Sequence, residues 1–120
     1  MLKITVLLGA SENPERYSYL ATQKLVAHQH SVTAIGIKPG HIGTTPIITE
    51  HPIITNVDTV TLYLSPINQK PYYDYIIALH PKRLIFNPGT ENEELANLAI
   101  ANHIQPIEAC TLVLLNTGQY

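Results

Sequence analysis

Cysteine, tryptophan and basic residues are all scarce in this chain. A single cysteine, Cys110, excludes an intramolecular disulfide framework and points to a reducing compartment. Seven Lys and Arg against nine Asp and Glu leave a formal net charge of −2, which excludes a protein that holds nucleic acid by broad electrostatic attraction. No apolar run approaches the roughly 18 residues of a membrane span. The opening "MLKITVLLG" is too short for a signal core with a cleavage site, and reads better as a strand. The expectation is a cytoplasmic protein with neither nucleic acid nor membrane as partner. What is present is ordinary core material, 45% hydrophobic over 120 residues, enough for one domain spanning residues 1–120.

Short apolar runs alternate with helical patterns. "KITVLLG" (3–9) is continuous and partly β-branched, as suits a strand buried on both faces. Asn13 is placed to cap a helix with Pro14 in its first position, running to about Gln29 with Leu20, Ala21 and Leu25 near one face. "SVTAIGI" (31–37) is the second strand. Residues 38–58 read as loop, with a small edge strand at 44–49. "TVTLYL" (59–64) follows, ended by Ser65-Pro66. Tyr72, Tyr75, Ile76 and Leu79 then repeat at i, i+3, i+4, i+7, the spacing of a helix packed on a sheet. Pro81 stops that helix, "KRLIFN" (82–87) is a strand, and a helix capped by Thr90 follows with Leu95, Leu98 and Ala99 inward. "IQPIEA" (104–109) is the last strand. The alternation predicts an α/β fold, a single Rossmann-like doubly wound, mostly parallel sheet with helices on both faces. The apolar tail "TLVLLNTGQY" leaves open whether it packs on its own core or on a second copy in a homodimer, and an unknown protein partner is equally open.

In such sheets, ligands lie beyond the carboxyl ends of the strands where the strand order reverses. If "KITVLLG" neighbours "TVTLYL", the crevice is lined by Gly9, Ala10 and Ser11 on one side and Leu64, Ser65 and Pro66 on the other. Gly9 permits a sharp turn, Ser11 offers a hydroxyl, and the N–H groups around 13–17 stand at the positive end of a helix dipole with Arg16 beside them. A plain βα turn with Arg16 solvated would use the same residues. A nicotinamide dinucleotide meets two obstacles. Only the first glycine of G-x-G-x-x-G is present, and the second strand runs into Lys38 rather than an acid. A cation there suits a phosphorylated ribose, 2′ in NADP or 3′ in coenzyme A. Arg16, Lys38 and Lys70 are expected near the crevice; Lys3, Lys82 and Arg83 begin strands and fall at the opposite rim.

The loop Gly9-Ala10-Ser11, Asn13-Pro14, Arg16 and Ser18 resembles the "GAS-x-NP-x-R-x-S" loop of the small CoA-binding-domain family, whose fold is similar to the CoA domain of succinyl-CoA synthetase. The resemblance continues through "VDTVTLYLSP", "FNPGTENEEL" and "EACTLVLLNTGQY". It implies a Rossmann-like domain that binds coenzyme A or an acyl-CoA through residues 9–18, including Tyr17 and Ser18, through Lys38, and through the loop after Leu64. The chain departs from the family where many members carry a glycine after the arginine, for Tyr17 and Tyr19 flank Ser18 here.

Candidates for catalysis are thin. Cys110 has no base predictably beside it. His28 and His30 stand two apart and do not share a helical face, and Glu91, Glu93 and Glu94 open a helix, where solvation and the dipole explain them. His80 falls at the strand-entry side. The expectation is a stand-alone, non-catalytic module for a small nucleotide cofactor, against the alternative of a small NADP- or NAD(H)-binding oxidoreductase or redox-sensing domain.

Overall fold

The computed structural model describes residues 2–120. Seven strands form one sheet in the order β3-β4-β2-β1-β5-β6-β7: β1 (Ile4–Leu8), β2 (Ser31–Ile35), β3 (Gly40–Ile42), β4 (Thr45–Ile48), β5 (Thr59–Leu62), β6 (Arg83–Phe86) and β7 (Gln105–Glu108). Every pairing is parallel except β3 with β4. The strand expected at the edge, 44–49, is instead interior: β4 pairs with β2 on one side and with the short β3 of its own hairpin on the other, and β3 takes the edge. Pro46 faces His41 of β3 and precedes Ile47 and Ile48, the residues that pair with β2.

Side chains alternate between the faces of β1. Val6 and Leu8 join a cluster with Tyr75, Ile76 and Leu79 of α3 (Tyr73–Leu79) and Leu95 and Ala99 of α4 (Glu93–Ala101). Leu7 joins the opposite cluster, with Ala21 and Leu25 of α1 (Tyr17–Ala27) and Leu115 of α5 (Thr111–Asn116). Helices cover both faces, and the doubly wound sheet is as expected. The tail packs on the chain's own core: Leu115 is buried, and the Tyr120 hydroxyl lies 2.7 Å from Thr5 Oγ1.

Three details differ from the sequence reading. The helix α1 begins at Tyr17 rather than at Pro14. Asn13 spends its side chain on the Glu15 N–H (3.0 Å) and its carbonyl on the Arg16 N–H (3.0 Å), and this local turn outcompetes the helix. Arg16 is extended and becomes the N-cap residue. The inner face of α1 is Ser18, Ala21, Thr22 and Leu25, while Leu20 is partly exposed; Thr22 is buried because its hydroxyl donates to the Ser18 carbonyl at 2.8 Å. Finally, α4 is capped by Asn92, whose side chain accepts from the Leu95 N–H. The Thr90 hydroxyl is instead drawn to the Asn87 carbonyl at 2.8 Å, and Leu98 is only half-buried.

Candidate functional site

β1 sits between β2 and β5, with Leu8 level with both Ile35 and Leu62. The connection from β1 goes to one side and the chain continues on the other, so this is the switch point of the sheet. Beyond it opens a cleft of about 1030 Å³. Its lining includes Gly9, Ala10, Ser11, Asn13, Arg16, Tyr17 and Ser18 from the first loop and helix, Lys38 after β2, and Leu64 and Ser65 after β5. Pro14 and Pro66, expected at the site, are exposed and off the lining, as turn and first-helical-position residues. Lys70 lies in the 3₁₀ turn Lys70–Tyr72 and does not reach the cleft, so two cations rather than three face it.

Close backbone approach shapes the floor. Gly9 has a φ of +98°, and a Cβ there would stand 2.8 Å from the Tyr63 carbonyl oxygen; one at Gly36 would stand 2.5 Å from that of Ala10. The Gly9 and Ala10 N–H groups both donate to the Ile35 carbonyl at 2.9 Å, which binds the loop to β2. The N–H groups of Asn13, Glu15 and Arg16 are likewise consumed, by Ser11 Oγ, Asn13 Oδ1 and the Asn13 carbonyl. Between residues 13 and 18, the N–H groups without a partner among the described residues are those of Tyr17 and Ser18, at the start of α1, rather than the broader set at 13–17. Ser18 is 4% exposed, lines the cleft, and its hydroxyl has no partner among the described residues. Two N–H groups, a hydroxyl and the Arg16 guanidinium thus meet at one end of the cleft. This is a donor set for an anion.

The other walls are stiff. After β5, Ser65 Oγ accepts from Asn68 Nδ2 at 3.0 Å. The buried Asn87 donates to Thr61 Oγ1 (2.7 Å) and the Leu62 carbonyl (2.8 Å) and accepts from the Thr111 N–H (2.8 Å), holding β5, β6 and α5 together below the cleft. Tyr63 lines the cleft with its hydroxyl buried and unpartnered among the described residues, and burial pushes that phenol well above its ordinary range. The sequence reading missed His51, an exposed ring lining the cleft, with its centroid 4.9 Å from that of Tyr72 and 5.1 Å from that of Tyr75. The ring is thus held on the cleft lining by its packing against two tyrosines. A lone histidine in a proline-rich loop carries no periodic signal, and only packing against α3 brings it here. Glu12 was missed as well. Its Oε2 accepts from the His41 N–H at 2.9 Å, which seats a carboxylate on the same lining.

Tyr17 is 71% exposed and Tyr19 packs toward Ala21 and Leu25, so the two tyrosines leave the helix end open. Cys110 is half-buried at the N-cap of α5 and off the lining. Among the described residues no group of three His, Cys, Asp or Glu side chains is placed to hold a metal, and no helix is long and apolar enough to cross a membrane.

A seven-stranded, mostly parallel α/β sheet with a cleft at its switch point defines a Rossmann-like architecture. Residues 3–116 match the family model described as CoA binding domain, and the chain belongs to that family. A crystal structure of an uncharacterized protein is 48% identical, with a TM-score of 0.96, over 100% of this chain and 99% of the other. Two more distant structures share the fold: a hypothetical protein from Pyrococcus horikoshii OT3 (21% identity, TM-score 0.86, 97% of this chain and 83% of that one) and the cell-free ID.343 protein from Thermus thermophilus (14%, 0.84, 98% and 91%). Among proteins with curated descriptions, none matches significantly.

Proposed function

We propose that this protein is a binding module for coenzyme A or an acyl-CoA, without catalysis of its own. The observation that carries the reading is the pairing, in one cleft of a CoA-binding-family fold, of the open donor set at Arg16, Tyr17 and Ser18 with Lys38, which follows β2 after Gly36 and Ile37 because the strand ends at Ile35 rather than at 37. A pyrophosphate would rest against the helix end, and a ribose phosphate would face the lysine. The His51 ring gives the adenine a surface to stack on. Among the described residues the only ion pair is Arg83 with Asp58 at the far rim, so neither Arg16 nor Lys38 is already neutralised by a carboxylate contact.

Lys38 would suit the 2′-phosphate of NADP as well, and this keeps an NADP- or NAD(H)-binding module as the second reading. Calorimetry with CoA, dephospho-CoA, NADP and NAD separates the two. CoA is expected to bind tightest, dephospho-CoA weaker by the ~1–3 kcal/mol of a charge-assisted contact, and Lys38→Ala should erase that difference. Tighter binding of NADP than of CoA would replace the first reading by the second.

A further inference from the structure

Glu12 sits at a place where the sequence shows no acid. In doubly wound sheets the end of the second strand is the ribose corner: an acid there accepts from a ribose hydroxyl, or a cation there accepts a ribose phosphate. Here β2 is followed by Lys38, and the carboxylate arrives from a different loop. Glu12 follows β1, yet its Oε2 holds the His41 N–H on β3, and its carboxyl group fills the space a side chain at Gly40 would need. Glycine at 40 is what admits it. Glu12, Ile37, Lys38 and Pro39 line one stretch of the same cleft. Its Oε1 has no hydrogen-bond partner among the described residues, so one carboxylate oxygen is anchored and the other is available.

Resting on the coenzyme A reading, we infer that Glu12 is a specificity-determining residue that accepts a hydrogen bond from the free 2′-hydroxyl of the cofactor's ribose, while Lys38 faces the neighbouring 3′-phosphate. A corner with one acid and one cation fits a ribose with one free and one phosphorylated hydroxyl. A diol leaves the lysine without its anion, and a ribose lacking the free hydroxyl leaves the carboxylate without its donor. The competing role is a purely structural one, in which Glu12 satisfies an edge-strand N–H and otherwise only repels the phosphates.

The two roles differ in sign. Calorimetry would compare CoA with 2′-deoxy-CoA on the wild-type protein and on Glu12→Gln, whose amide oxygen still accepts from His41 and so preserves the fold, as a thermal melt would check. Wild type is expected to prefer CoA by roughly three- to tenfold, and Glu12→Gln to lose most of that preference. An equal preference in both proteins, no preference in the wild type, or tighter CoA binding by Glu12→Gln with the ratio unchanged would each overturn the inference while leaving the coenzyme A reading standing. Absence of CoA binding by the wild-type protein overturns that reading, and this inference with it.

Discussion

The Gln69 side-chain amide donates to the Thr90 carbonyl at 2.8 Å, and so fastens the loop after β5 to the loop after β6 across one wall of the cleft. Gln69 is fully buried at the end of α2 (Pro66–Gln69); it also donates to the Leu64 carbonyl at 2.8 Å and accepts from Asn92 Nδ2 at 2.8 Å. Asn92 continues the chain to the Tyr73 hydroxyl, and Tyr73 to Glu94. Replacing Gln69 by Leu keeps the apolar bulk but strands two carbonyls and the Asn92 amide. The expected loss is about 2–4 kcal/mol in urea unfolding, with CoA binding weakened as the wall loosens. Gln69→Glu should be as damaging, because a carboxylate has nothing to donate to the two carbonyls.

Gly9→Ala tests the floor. The positive φ and the 2.8 Å approach to the Tyr63 carbonyl both oppose a side chain, so stability should fall by on the order of 1–3 kcal/mol, and CoA affinity should fall further than stability alone explains. A parallel Gly118→Ala, with a φ of +72° but nothing near its Cβ, should show the strain without the loss of binding.

Ser18→Ala removes a hydroxyl that has no partner within the chain among the described residues. Thermal stability is expected to stay near that of wild type, since the Ser18 carbonyl still accepts from Thr22. CoA affinity should drop roughly three- to tenfold by calorimetry. A stability loss with unchanged affinity would show the hydroxyl to be structural.

Acid should weaken the fold through His30. Burial lowers its pKa below the ordinary 6.5, with His28, Lys3 and Arg83 adding repulsion, and its Nδ1 accepts from the Lys3 N–H at 2.9 Å. The native state binds this proton less readily than the unfolded chain. The stability His30 contributes is therefore complete above 6.5 and is lost as pH falls through the lower native value. Urea midpoints measured at about pH 7.5 and about pH 5 should differ less in His30→Gln, which cannot take up the proton.

Alkali acts through the tyrosines. Burial pushes Tyr75 up to about 12 from 10.0, with its hydroxyl donating to the Pro52 carbonyl, and burial raises Tyr63 and Tyr120 too. These groups are protonated in the native state at pH values where an unfolded chain has ionised them. Their contribution is full below pH 10 and disappears as pH rises through the native values. A phenolate absorbance titration should show only part of the seven tyrosines ionising near 10, with the rest following as the protein unfolds.

The sequence by itself determined what depends on local pattern. Period and punctuation placed the alternating strands and helices, and put Tyr72, Tyr75, Ile76 and Leu79 on the buried side, because 3.6- and 2-residue repeats are readable wherever one face meets a core. That the glycine loop, Arg16, Ser18 and Lys38 line one cleft was legible because strand ends in a doubly wound sheet share one edge. Tertiary structure alone decided the rest. Asn13 could cap a helix or close a turn, and bonds of similar strength competed until the turn to Arg16 won. Gln69 looks like any polar helix residue until two loops close around it. Glu12 reaches the His41 N–H across 29 positions of sequence, because β2 and the β3–β4 hairpin bring residue 41 beside it, and no local spacing encodes a contact between separate loops.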